Sequence, residues 1–129
     1  MSPEELIAVA KAAREHAYCP YSNYAVGAAL EVADGRVYSG CNVENVSSGL
    51  TVCAERTAVG TAVAAGDRKW RALAVVTSDG AMPCGACRQV LAEFGDPEMP
   101  VYAATPDGDY QTLTLGELFP WPFRSPLVQ

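Results

Sequence analysis

No stretch of this chain approaches the ~20 consecutive apolar residues that a membrane-spanning helix requires, so no membrane partner is expected. Basic residues are scarce: nine Lys and Arg stand against fifteen Asp and Glu, nowhere in a run, and leave a formal charge of −6. A surface that grips phosphate backbones is thereby excluded, and with it a nucleic-acid polymer as partner. Histidine occurs once, as His16, so hydrolases built on Ser-His-Asp or Cys-His have almost nothing to work with. Charged residues make up only 19% and apolar ones 50%, which excludes a disordered or highly charged chain. The start, MSPEELIAVAK, lacks a basic leader, and the five cysteines are an odd number. Both features point to a cytoplasmic protein with reduced thiols, some of them metal ligands, rather than to a disulfide framework.

What is present reads as one domain over residues 1–129, without repeats or linkers. Ser2, Pro3 and Glu5 form a capping box, and Leu6, Val9, Ala10, Ala13 and Ala17 continue at helical spacing until Cys19-Pro20. Strands are expected over 25–32 and 36–40, joined through Asp34-Gly35, a strong hairpin signal. A helix follows over 53–65, closed by Gly66, then a buried strand over 72–77 and a helix over 86–94 capped by Gly95. Short strands over 101–104 and 110–113 and a last turn over 116–119 complete the order. Helices alternating with strands imply an α/β fold, a three-layer α/β/α sandwich around a mixed sheet of about five strands.

The chemistry lies in Cys53-Ala54-Glu55 and Pro83-Cys84-Gly85-Ala86-Cys87. Cys84 and Cys87 are three apart, so at a helix start they face the same way. Unpaired N–H groups and the positive dipole end favour thiolates there, and Cys53 begins another expected helix with the same advantage. Three thiolates with one open position suit a catalytic zinc. Two other readings of Cys-x-x-Cys stand beside it. A redox pair would follow an early strand, whereas this one comes late, and a structural zinc would want a fourth ligand that Cys19, Cys41 and His16 do not offer at ligand spacing. Glu55 is the acid two residues from a ligand, in apolar surroundings, and is placed to move protons of a zinc-activated water. Arg56 beside it can donate to the sulfurs and offset their charge, or form a surface salt bridge.

Cys53–Ala58 (CAERTA) and Pro83–Gln89 (PCGACRQ), with Tyr18–Gly27 (YCPYSNYAVG) and Gly40–Asn45 (GCNVEN), closely resemble the small zinc-dependent cytidine deaminases over roughly residues 4–123. The resemblance implies that Cys53, Cys84 and Cys87 hold one Zn²⁺ per subunit. It also implies that activated water attacks C4 of a cytosine nucleoside and that Glu55 shuttles its proton to ring N3 and to departing ammonia. Cytidine and 2′-deoxycytidine would become uridine and 2′-deoxyuridine, as in pyrimidine salvage. Asn42 and Glu44 match the family's ribose-binding pair, Tyr24 and the backbone of Ala54 lie near the base, and Phe123 matches an aromatic that reaches a neighbouring subunit's pocket in a homotetramer. Two positions depart from the family: Tyr24 stands where Phe is usual and Ser48 where Tyr is common. This leaves a deaminase of a modified cytosine nucleoside or of a blasticidin-type aminocytosine antibiotic as the alternative. A zinc-bearing module without turnover is disfavoured by Glu55, an acid that a pure binder has no use for.

Overall fold

The structure is a computed structural model that describes residues 1–127; Val128 and Gln129, the last two of the expected unit, lie outside the described residues. Helix α1 (Pro3–Arg14) opens on the expected reciprocal cap: Ser2 Oγ accepts from the Glu5 N–H, and the Glu5 carboxylate accepts from the Ser2 N–H. It ends one turn earlier than the apolar spacing suggests. Residues 15–17 tighten into i→i−3 hydrogen bonds, and the backbone at Tyr18 is captured instead by residues 42–44. Tertiary pairing here overrides helical periodicity.

Strands β1 (Gly27–Val32) and β2 (Val37–Cys41) form the expected hairpin, with Gly35 at φ 93° in the turn. Next come α2 (Ala54–Ala64), β3 (Trp70–Val76), α3 (Gly85–Phe94), β4 (Pro100–Ala104), β5 (Tyr110–Thr114) and a one-turn α4 (Leu115–Leu118). Gly66, at φ 91°, closes α2 in a Schellman arrangement, with the Asp67 N–H bonded to the Ala62 carbonyl. Gly95 also ends its helix, but at φ −85° and ψ 143°, so it supplies no left-handed turn. Its lack of a side chain serves close packing: a Cβ there would stand 3.0 Å from Leu115 Cδ2 and from the Leu91 carbonyl oxygen.

The sheet order is β2-β1-β3-β4-β5, antiparallel except for the β3–β4 pair, which is parallel and bridged by α3. Period-two alternation sends Ala28, Leu30, Val32, Leu73, Val75 and Val101 to one face, where Ala54, Ala58, Val59 and Ala62 of α2 and Leu91 of α3 cover them. The opposite face offers Ala29, Ala72, Ala74, Val76 and Ala104 to Leu6, Ile7 and Ala10 of α1. That is the expected three-layer sandwich with a mixed five-stranded sheet. The small residues on the α1 face bring helix and sheet very close, so a Cβ on Gly27 would lie 1.9 Å from the Ala10 carbonyl oxygen. On the other face the starts of α2 and α3 converge beyond the carboxyl end of β3, the usual ligand position in α/β sheets.

Candidate metal centre and cavity

Cys53 and Cys84 occupy the N-cap positions of α2 and α3, and Cys87 lies in the first turn of α3. The three sulfurs lie within 4.8 Å of one another, with Cys53–Cys84 at 4.0 Å and Cys84–Cys87 at 3.5 Å. A tetrahedral zinc with Zn–S bonds near 2.3 Å sets its sulfurs roughly 3.8 Å apart, so these thiols fit that ion as they stand. Among the described residues, the histidine and the other two cysteines lie outside this group.

The thiols differ electrostatically. Hydrogen bonding from Cys87, and then from Arg56, pulls Cys53 down to about 5. Cys87, fully buried, is pushed up by its hydrogen bond to Cys53 and by burial. The Arg56 guanidinium donates through Nη2 to Cys53 Sγ at 3.4 Å and to the Thr51 carbonyl at 3.4 Å. Among the described residues it makes no ion pair, and its Nε–H is buried without an acceptor. The guanidinium is therefore committed to the sulfur cluster, where its charge is best compensated by thiolates.

Glu55, in the first turn of α2, is only 4% exposed, and burial pushes its carboxyl up to about 7. It lines a cavity of about 490 Å³ together with Cys53, Cys84, Asn42, Glu44 and Tyr24. Four separate segments of sequence thus meet around one hollow. Asn42 is tied into the wall: its Oδ1 accepts from the Val26 N–H at 2.9 Å and its Nδ2 donates to the Tyr24 carbonyl at 2.8 Å. The side chain thus takes the Val26 N–H and the Tyr24 carbonyl in place of backbone partners, while the Ala25 carbonyl accepts from Arg14 Nε, and β1 begins at Gly27 and not at Ala25. One N–H and one lone pair of the Asn42 amide remain for a ligand. Glu44 is held by the Tyr21 and Ser22 N–H groups and the Ser22 hydroxyl, and the Ser22 hydroxyl keeps its carboxyl below the usual range.

Ala54, between the lining residues Cys53 and Glu55, is fully buried and does not itself line the cavity, and Phe123 lies outside, 82% exposed, with its carbonyl accepting from Gln89 Nε2. Sequence reasoning did not pick out Ser22, Thr77 or Met82 as lining residues, nor Asp79 behind Tyr24. Ser22 was within reach of a local reading, since it lies inside the matched segment Tyr18–Gly27. Thr77 and Asp79 are joined to Tyr24 only by the fold.

The family described as the cytidine and deoxycytidylate deaminase zinc-binding region matches residues 1–103. The chain belongs to the cytidine deaminase family. A cytidine deaminase of Sporosarcina psychrophila is 52% identical over 125 residues, 95% of this chain and 92% of the relative. One from Halalkalibacterium halodurans is 50% identical over 127 residues, 97% and 96% of the two chains. The crystal structure of cytidine deaminase from Burkholderia pseudomallei superposes with a TM-score of 0.92 at 51% identity, covering 95% of this chain and all of the other. Cytidine deaminase family membership makes the chain an enzyme with one zinc site, for which Cys53, Cys84 and Cys87 are the fitting donor set. Among the described residues, no helix is long and apolar enough to cross a membrane.

Proposed function

We propose that this chain hydrolytically deaminates cytidine and 2′-deoxycytidine to uridine and 2′-deoxyuridine, releasing ammonia, with residues 1–129 acting as one catalytic unit. The observation that carries the reading is Glu55: a buried carboxyl raised to about 7, two residues from a thiolate and facing the cavity. A group with that pKa gives up and accepts protons with equal ease near neutrality, as a shuttle must. Zinc, when bound by Cys53, Cys84 and Cys87, supplies the Lewis acidity that brings a water molecule's pKa toward ~7. Glu55 would pass one proton of the attacking water to ring N3 and the second to the exocyclic amine, which leaves C4 as ammonia. Arg56 holds Cys53 and withdraws some of its charge.

Asn42, through its unused N–H and lone pair, and Glu44, fixed by its backbone donors, bind the sugar hydroxyls. Tyr24 walls the base, and the backbone of Ala54 contacts it from below. Among the described residues, no Lys or Arg lines the cavity, whereas Glu44 and Glu55 do, which favours an uncharged nucleoside over a phosphorylated one. The exposed apolar side chains Val46, Leu50, Trp121 and Phe123 support assembly into a homotetramer in which Phe123 covers a neighbour's cavity. The reduced thiols that the site requires support a cytoplasmic location.

The test is the ultraviolet band of the aminopyrimidine, followed together with ammonia release, for wild type and Glu55→Ala. Loss of the band in wild type and almost none in the variant is expected. Zinc-loaded wild type that leaves both nucleosides intact overturns the reading, and turnover of a modified cytosine alone would move it to the alternative. Sedimentation velocity of wild type against Phe123→Asp tests the assembly, for which a tetramer and a smaller species are expected.

A further inference from the structure

Tyr24 and Asp79 are 55 positions apart, yet the Tyr24 hydroxyl donates to Asp79 Oδ1 at 2.7 Å. That oxygen is a junction: it also accepts from the Thr77 hydroxyl at 3.1 Å and from the Ala81 N–H at 3.3 Å, while Thr77 Oγ1 accepts from the same N–H at 3.0 Å. The turn so braced, residues 77–81, leads from the end of β3 to Pro83-Cys84, and Thr77, Ala81, Met82 and Cys84 all line the cavity. On the other side, Asn23 at φ 60° reverses the backbone between Ser22 and Tyr24. Ser22 then holds Glu44, its Oγ accepts from the Tyr24 N–H, and the Tyr24 carbonyl takes Asn42 Nδ2. Tyr24 thus carries three bonds, two toward the candidate sugar-binding residues and one toward the turn that precedes the metal ligand.

We propose that Asp79 is a positioning residue for nucleoside binding. By taking the Tyr24 hydroxyl, it links the Asn42–Glu44 side of the cavity to the Cys84 side and fixes the distance between sugar recognition and the metal centre. Resting on the nucleoside reading above, this assigns the Tyr24 hydroxyl a partner in the protein, so that the substrate meets only the ring. Burial holds the phenol above its ordinary pKa, with Asp79 adding to the effect, so it stays a donor across the neutral range. All contacts of Asp79 in this network run through Oδ1, an atom that Asn also possesses.

That last point sets the experiment. KM and kcat for cytidine, the Kd of uridine by calorimetry and the zinc content are measured for wild type, Tyr24→Phe, Asp79→Ala, Asp79→Asn and the double variant Tyr24→Phe/Asp79→Ala. One lost hydrogen bond at a half-exposed site corresponds to a rise in KM and in uridine Kd of roughly 3- to 10-fold. That rise is expected for Tyr24→Phe and Asp79→Ala alike, with kcat within about twofold of wild type because the reacting groups stay in place. Zinc stays at one equivalent. The double variant should be no worse than the more impaired single one, and Asp79→Asn should bind close to wild type. Additive effects, an unchanged KM in Tyr24→Phe, or an Asp79→Asn as impaired as Asp79→Ala overturns the positioning role. Wild type that neither binds uridine nor deaminates cytidine takes down the nucleoside reading and the role of Asp79 with it, whereas active wild type with indifferent variants takes down Asp79 alone.

Discussion

Gly40 lies on β2 directly against the start of α2, and replacing it with alanine is the sharpest probe of how the sheet places the metal ligands. A Cβ there would stand 2.6 Å from the Ala54 carbonyl oxygen, 2.6 Å from the Ala58 nitrogen and 3.0 Å from Thr57 Cβ. Two of the three obstacles are backbone atoms, so no flexible side chain can swing aside. Restoring ordinary contact near 3.5 Å requires the helix start to retreat by about 1 Å, and overpacking of this kind costs about 1–3 kcal/mol. Ala54 sits between Cys53 and Glu55, so the retreat carries both away from Cys84 and Cys87 on α3. Metal–ligand distances tolerate only about 0.2 Å, so zinc affinity should fall at least roughly tenfold in addition to the loss of stability. Urea unfolding of zinc-free protein reads the first effect, and competition with a chromophoric chelator reads the second. Gly60→Ala is the control: it lies in the same helix with nothing within 4 Å of its added Cβ, and it should stabilise by about 0.5–1 kcal/mol. Wild-type stability and zinc affinity in Gly40→Ala would refute the close-approach argument.

The remaining expectations are simpler. In metal-free protein the Glu55 carboxyl titrates near 7 when folded against 4.5 in the free group, so its folded pKa is raised. Below pH 4.5 both states keep the proton and nothing is lost; as pH rises toward 7 the unfolded chain releases it first and stability declines by about 3 kcal/mol. Glu55→Gln removes that decline, so urea midpoints of the two metal-free proteins should agree near pH 4.5 and diverge by pH 8; parallel curves would show that burial does not set this pKa. Arg56→Ala should weaken zinc binding by roughly 10- to 100-fold in the same chelator competition, and unchanged affinity would remove Arg56 from the sulfur cluster's support. Leu73→Ala, at a fully buried site in the layer beneath α2, should cost about 2–5 kcal/mol in urea unfolding with zinc affinity of the folded protein intact.

Features set by neighbours in sequence were legible there. The capping box at Ser2 and Glu5, the turn at Asp34-Gly35 and the left-handed Gly66 each depend on a few consecutive residues, and each is found in the structure. The cysteine trio was legible because Cys53 and Cys84 both begin helices, and helix starts announce themselves locally. The misjudged boundaries have another origin. The end of α1 and the start of β1 are both decided by residues 42–44, through the backbone at Tyr18 and the Asn42 side chain. No periodicity contains such bonds. Asn42 shows the limit most plainly: its match to the family's ribose-binding pair implied a ligand for sugar, while half of its amide's bonding capacity is spent on the protein's own backbone. Asp79, in an exposed turn, carried no signal that it meets a tyrosine 55 positions away, just ahead of the neighbouring strand β1.

The division of the metal centre between two helix starts also imposes an order on the protein's own synthesis. Cys53 precedes Cys84 by 31 positions. At ribosomal rates of ~5–20 residues per second, Cys53 is made roughly two to six seconds before its first partner thiol. Cys84 and Cys87 cannot stand in place until β3 has paired with β1 and positioned the start of α3. During that interval the first thiol has neither its metal nor its neighbours and stands open to oxidation. A nascent chain of this design therefore depends on the reducing power of its surroundings before it depends on zinc.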